Sequence, residues 1–300
     1  MSVADRFDAA QARLAERLPA RVTAHPTLSA VLALTVVSLA LRLFTLGART
    51  PHYDEARVAF WALYLADHGW YSYMPISHGP FLHVVGSWVF TLLGASDVTM
   101  RLPVALVGGL LPLSALLFRR YLSKAAVVGL AGVLALDPTL LYFSRFFRND
   151  VLTAAFAFFA LGCFVVALFQ RRPRYLYAGA LFLGLSFTTK ENAVLYVLCW
   201  LGAGTLVLGH DLVRPLGEDS IRTRVGLRWR QLKGVVPDDS PGRRRAAKRT
   251  VLHLVGAAVL FVAVLVFFYA PRGSAADTVG FWEAFTRPAQ FPAMVHETLF

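Results

Sequence analysis

Long apolar runs separated by short polar or basic gaps dominate the chain. Runs at 28–46, 102–118, 125–143, 151–169, 175–188, 193–208 and 251–270 approach or reach the length of about 20 residues that a helix needs to cross a bilayer core. The pattern predicts an all-α integral membrane protein, a polytopic helical bundle of about seven spans. The run at 175–188 is the shortest of them. A further run, Phe81–Leu93, carries His83 and has the length of a helix lying in the interface. If it crossed instead, the chain would have eight spans and begin on the outer side.

Composition supports the bilayer. Hydrophobic residues make up 57% of the 300, charged residues 16%, and the mean hydropathy is +0.55, against about a quarter charged in soluble domains. A net charge of +12 raises the question of nucleic acid, but no aromatic interleaving or nucleic-acid fold signature accompanies it. Cys163 and Cys199 lie inside apolar runs, too few for a disulfide framework or metal knuckle, and read as core residues. The first apolar run follows a polar leader and has no small-residue cleavage site after it, so it reads as an anchor.

Most lysines and arginines fall in the leader 1–27, in Arg119-Arg120 with Lys124, in Arg171-Arg172 with Arg174, and in the loop 209–250. With seven spans and a cytoplasmic N-terminus all of these lie inside, as the positive-inside rule requires. The expected organisation is a leader 1–27, a membrane domain 28–208 with an outer loop 47–101, a basic cytoplasmic loop 209–250 that touches anionic lipid, a span 251–270, and an outer segment 271–300. The outer face then receives the polar residues at the mouths of the spans, where ionisable groups are functional candidates.

Three outer elements stand out. The first opens with His52-Tyr53-Asp54-Glu55 and continues into Ala56–Ala66 and the aromatics Trp61, Tyr64, Trp70, Tyr71 and Tyr73, which fit an interfacial helix and belt. Asp54 and Glu55 sit at that helix's N-terminus. Either Asp54 caps it and Glu55 complements its dipole, or one carboxylate is a general base for an incoming hydroxyl. In Ser144-Arg145-Phe146-Phe147-Arg148-Asn149-Asp150, two guanidinium groups between aromatics suit a phosphate; snorkelling to headgroups is the plainer alternative, as is capping by Asn149 or Asp150. In Thr189-Lys190-Glu191-Asn192, a cation and a carboxylate meet at a helix junction, either as a local pair capped by Asn192 or as part of a site.

The runs Leu41-Arg42-Leu43, His52-Tyr53-Asp54-Glu55-Ala56, His78-Gly79-Pro80 and Arg101-Leu102-Pro103 resemble the start of the GT-C glycosyltransferases. They are similar in particular to the protein O-mannosyltransferase and lipid A aminoarabinose transferase group. The runs 144–150 and 189–192 resemble an archaeal branch, the flippase activity-associated proteins of N-glycosylation. The resemblance implies inverting transfer of a sugar from a polyprenyl or dolichyl phosphate donor to an acceptor protein or glycolipid on the extracytoplasmic face of the cell membrane. It implies Asp54 as base or acceptor-binding carboxylate with Glu55 in support, Asp150 near the reaction centre, and His78 at donor or acceptor. Arg145, Arg148 and Lys190, with Glu191 beside it, would hold the phosphate, where charge grows in the transition state. Such enzymes have more spans and an extra outer domain, so the chain reads as an N-terminal portion. Glu191 departs from the Lys-Gly form of the aminoarabinose branch.

No cofactor is required by these residues. A divalent metal is conceivable at His52 and Asp54, with Glu55 and His78 nearby, although none has the i, i+4 spacing of a preformed helical site. Two function classes follow: a membrane glycosyltransferase, or a non-catalytic flippase or flippase-associated protein using the same charges on a lipid-linked sugar. A generic solute transporter has less support, because no pair of broken intramembrane helices is evident.

Overall fold

The computed structural model describes residues 25–74, 78–213, 241–273 and 280–299. Most of the leader, most of the basic loop and part of the final segment lie outside the described residues.

Helix α1 (Pro26–Leu43) begins with Pro at its first turn, where a missing amide costs nothing. Its buried residues are Val31, Thr35, Ser38 and Arg42, a spacing of four, three and four that marks one helical face. Leu32, Val36, Val37 and Leu41 on the remaining faces are exposed, as suits contact with lipid chains. Arg42 is wholly buried yet well partnered. Its guanidinium donates to Ser38 Oγ (2.6 Å), to Ser144 Oγ (3.1 Å) and to the carbonyls of Ala135 (2.9 Å) and Leu134 (3.3 Å). It thus caps the C-terminal carbonyls of a neighbouring helix, which favour a cation.

Helices α2 (Tyr53–His68) and α3 (Phe81–Leu93), which follow α1 in the chain, pack against each other, while α1 packs directly on the next span. Gly69 ends α2 in the left-handed region, φ 68°. At about 1.5 Å per residue, α3 is about 20 Å long, short of the hydrocarbon thickness. Its buried side chains, among them Phe81, Leu82 and Val84, tuck it into the bundle. The next span is Asp97–Phe118. It is α-helical as α4 (Asp97–Leu110) and then tightens to a 3-10 segment over Leu111–Phe118, where Pro112 cannot supply the amide that would continue the α ladder.

The predicted span 125–143 is broken. Helix α5 (Lys124–Leu136) stops where Pro138 forces Asp137 into extended backbone, φ −52° and ψ 124°. Asp137 Oδ1 then accepts the Leu140 amide at 2.8 Å and starts the short α6 (Pro138–Phe143). Helices α7 (Asn149–Gln170) and α8 (Pro173–Thr189) pack closely, and α8 also packs on α10 (Pro241–Tyr269). Helix α9 (Ala193–Val213) lies beside α7 and α8, and the short α11 (Phe281–Thr286) and α12 (Phe291–Leu299) follow α10.

Among the described residues, four helices are long and apolar enough to cross a membrane: Pro26–Leu43, Asp97–Phe118, Asn149–Gln170 and Ala247–Tyr269. The other predicted spans correspond to shorter pieces, namely α5, the 17-residue α8 and the apolar stretch Ala193–Val207 of α9. The core joins Phe81, Leu82, Phe147, Leu152, Phe156, Val264 and Phe268 from α3, α7, α10 and the turn before α7. No strand forms among the described residues. Tyr71 and Arg272 exchange single backbone hydrogen bonds (2.9 and 2.7 Å), tying the α2–α3 connection to the end of α10. Tyr71 is therefore not part of an aromatic belt. It is buried, with its ring stacked 5.2 Å from His83. Cys163 is buried as expected, whereas Cys199 lies on the exposed face of α9.

Candidate active site

The α2 N-terminus separates the roles of the two neighbouring acids. His52, not Asp54, is the N-cap: its Nδ1 accepts the Asp54 amide at 3.3 Å. Glu55 is the third helical residue and returns the bond, with Oε2 accepting the His52 amide at 2.9 Å, which completes a capping box. The Asp54 carboxylate takes no part in capping.

Glu55 is completely buried and surrounded by donors. Arg101 donates through Nε to Oε1 (2.9 Å) and through Nη2 to Oε2 (3.2 Å), the paired geometry that suits guanidinium and carboxylate. Arg49 Nη2 adds 2.8 Å to Oε2 and the Phe147 amide 2.8 Å to Oε1. Burial alone would raise the carboxyl, but the bonds from Arg101 and the His52 and Phe147 amides hold it below the usual range. Arg101 is itself buried and donates to the carbonyls of Leu46 (3.1 Å) and Arg49 (2.9 Å). Arg49 lies 3.5 Å over the ring of Phe146. Glu55 thus ties together α2, α4 and the turn 144–148, and both of its carboxylate oxygens are engaged by donors from the protein.

Asp54 points the other way and is half-buried. Its Oδ2 lies 3.2 Å from Arg148 Nη1 and 3.8 Å from His52 Nδ1. Arg148 Nε in turn lies 3.3 Å from Asp150 Oδ2, and Lys190 Nζ donates to Asp150 Oδ1 at 2.7 Å. The row Asp54–Arg148–Asp150–Lys190 alternates in sign along the junction of α2, α7 and α8. Neither Asn149 nor Asp150 caps α7. The cap position belongs to Arg148, whose side chain makes no capping bond. Lys190 and Glu191 do not pair locally either. Glu191 accepts from Tyr73 at 2.7 Å and lies 3.6 Å from His78. Burial and the bond to Glu191 push the Tyr73 hydroxyl up, so it remains a proton donor.

His78 is held in the left-handed region (φ 65°), a costly conformation for a residue other than glycine. The following residue explains how it is held. The Gly79 amide donates to the Thr189 carbonyl at 3.1 Å, and a Cβ on Gly79 would sit 2.2 Å from the Thr188 carbonyl oxygen. Gly79→Ala should therefore push the His78 loop off the end of α8. The expected result is at least about 1–3 kcal/mol of destabilisation in thermal unfolding.

Arg145, like Glu55, lies apart from the row. Its Nη2 donates to the carbonyls of Phe44 (2.8 Å) and Thr45 (3.1 Å), closing the end of α1. Sequence reading missed Arg49 as a partner, quoted Arg42 and Arg101 only within motifs, and took Tyr73 for a belt residue. An arginine at the edge of an apolar run needs an acidic or carbonyl partner, and that rule points to Arg42 and Arg101. Among the described residues no three His, Cys, Asp or Glu side chains gather in a metal-ligating group. His52 and Asp54 are adjacent, with His52 Nδ1 occupied by its capping bond.

Fold and site together define an all-α, multi-pass membrane protein with a row of alternating charges gathered at one end of its bundle. Residues 77–221 match the family model described as dolichyl-phosphate-mannose-protein mannosyltransferase. The match supports the superfamily resembled by the motifs, that of membrane glycosyltransferases drawing on dolichyl-phosphate sugars. It takes in His78, Arg101, Arg148, Asp150, Lys190 and Glu191 but not the Asp54–Glu55 pair. No curated protein and no solved structure matches the chain.

Proposed function

We propose that the protein transfers a sugar from a polyprenyl or dolichyl phosphate donor to an acceptor hydroxyl at the extracytoplasmic side of the membrane. The observation that carries this reading is the Asp54–Arg148–Asp150–Lys190 row. A guanidinium has five donor hydrogens and an ammonium three. Arg148 directs Nη1 and Nε at its two carboxylates and Lys190 one hydrogen at Asp150, which leaves donors on both cations for a phosphate.

In this reading the acceptor oxygen attacks the anomeric carbon as the carbon–oxygen bond to phosphate breaks with inversion. Asp54 takes the hydroxyl proton. The departing polyprenyl phosphate keeps the bonding electrons, and Arg148 and Lys190 stabilise its growing charge. Asp150 holds the two cations at a fixed separation. His78, Tyr73 and Glu191 border the row and are suited to sugar or acceptor hydroxyls. A closer kinship with the archaeal flippase activity-associated proteins rests on the runs 144–150 and 189–192.

Arg148→Met and Lys190→Met should each lower transfer by about 10²–10³-fold, the size expected for removing one charge-stabilising donor. Polyprenyl phosphate release from the corresponding sugar donor is the measurement, and wild-type rates in both variants would remove them from the mechanism. Labelling His78 and Lys190 from each side of sealed vesicles tests the sidedness. Reaction from the cytoplasmic side would overturn the proposed orientation.

A further inference from the structure

A second charged feature lies at the opposite end of the bundle. Where the 3-10 segment, the end of α7 and the start of α8 meet, a cavity of about 200 Å³ is lined by Arg119, Arg120, Arg172 and Arg174, with Gln170 and Tyr175. Its apolar wall is formed by Leu116, Leu117 and Val166. Leu117 reaches that wall because Gly162 of α7 has no side chain. A Cβ there would come within 2.6 Å of Leu117 Cδ1.

Among the described residues no carboxylate lines this cavity, and no ion pair engages any of the four arginines. The start of α8 adds to the field. Its cap position, Arg172, makes no side-chain capping bond and its first turn holds no acidic residue, so the positive end of the helix dipole is uncompensated. Arg174 is partly steadied over the ring of Tyr175, 5.1 Å away. The cavity sits at the ends of two membrane-length helices, Asp97–Phe118 and Asn149–Gln170, and the ends of helices that cross a bilayer meet its headgroups. Leu168, Phe169, Tyr121 and Leu122 beside it are exposed and offer apolar surface to an acyl chain.

We infer that this arginine cup is a binding site for the phosphate headgroup of an anionic membrane lipid, separate from the row of alternating charges at the other end. Cationic side chains near a membrane surface each contribute about fivefold to anionic-lipid affinity, and a cavity lined by four exposed arginines should select such a lipid rather than merely attract the bilayer.

The full chain in a mild detergent, titrated with phosphatidylglycerol or phosphatidylcholine and followed by native mass spectrometry, tests this. Phosphatidylglycerol should be retained preferentially. Arg172→Gln/Arg174→Gln should weaken that retention about fivefold per arginine, and adding Arg119→Gln/Arg120→Gln should abolish the preference with unchanged helical circular dichroism. The variant Arg222→Gln/Arg224→Gln/Arg228→Gln/Arg230→Gln, which removes four charges from the basic loop instead, should keep it. The inference fails if the cup variants still prefer phosphatidylglycerol, or if the four loop substitutions alone remove the preference. It also fails if millimolar inorganic phosphate displaces the lipid, because the site would then serve a soluble anion.

Discussion

Asp54→Asn should reduce sugar transfer by about 10²–10⁴-fold, the range for removing a general base, while donor binding stays within a few-fold of wild type. The substitution keeps the size of the side chain and removes its proton-accepting charge. Because His52 supplies the cap of α2, losing the Asp54 charge should leave the helix start intact. The half-exposed ion pair with Arg148 is worth at most about 1 kcal/mol in stability. Loss of transfer with normal unfolding would therefore be a chemical effect. Polyprenyl phosphate release and equilibrium donor binding, measured on the same preparation, make the comparison. A variant that transfers at the normal rate would show that Asp54 is not the base. Loss of donor binding would instead place it among the binding residues. A protein that only moves lipid-linked sugars has no need of a proton acceptor at this position.

Glu55→Gln should have the opposite profile, a large loss of stability. The amide cannot balance the charge of Arg101, which is buried with it. Breaking a buried ion pair from one side costs about 3–5 kcal/mol, and the Phe147 amide depends on the same carboxylate. Thermal unfolding in detergent should show a markedly lower Tm. Glu55→Gln/Arg101→Met should recover part of it, since no unpaired charge is then left inside. A Tm within a degree of wild type would mean that the lock does not operate.

The same lock sets a pH dependence. The folded protein holds the Glu55 carboxyl below its ordinary value of 4.5, so folding favours its ionised form. The associated stability is complete above the ordinary value and is lost as pH falls through the folded-state value. Wild-type Tm should decline on acidification below about pH 4.5, and Glu55→Gln should show a shallower decline. Because Glu55 fixes the Phe147 amide next to Arg148, destabilising variants should also loosen the row of charges on which transfer depends.

Much of the architecture was legible in the hydrophobic pattern. The apolar runs and the short run Phe81–Leu93 appear where helices form, and Arg119-Arg120 and Arg171-Arg172 fall in the gaps between them. The break at Asp137-Pro138 was legible in principle, since proline restricts the residue before it, yet the apolar composition of 125–143 concealed it. The polar clusters were also visible: Asp54, Arg148, Asp150 and Lys190 were each singled out by position at the mouth of a span.

Their partners were not legible. Sequence proximity suggested Asp54 with Glu55, Arg145 with Arg148 and Lys190 with Glu191. The fold divides every one of these pairs, sending Asp54 to Arg148, Glu55 to Arg101, Arg145 to the end of α1, and Lys190 to Asp150. For the first pair the physical reason is the helix itself. Neighbouring residues on a helix project about 100° apart, so Asp54 and Glu55 face different surroundings, and the partner of each comes from another element. The sequence by itself determined the class of protein and the chemical types of its polar junctions. Only the tertiary structure decided that Glu55 is enclosed as an anchor and Asp54 is left facing the row of charges, because burial and pairing across about 100 residues of chain depend on how α2, α4, α7 and α8 pack.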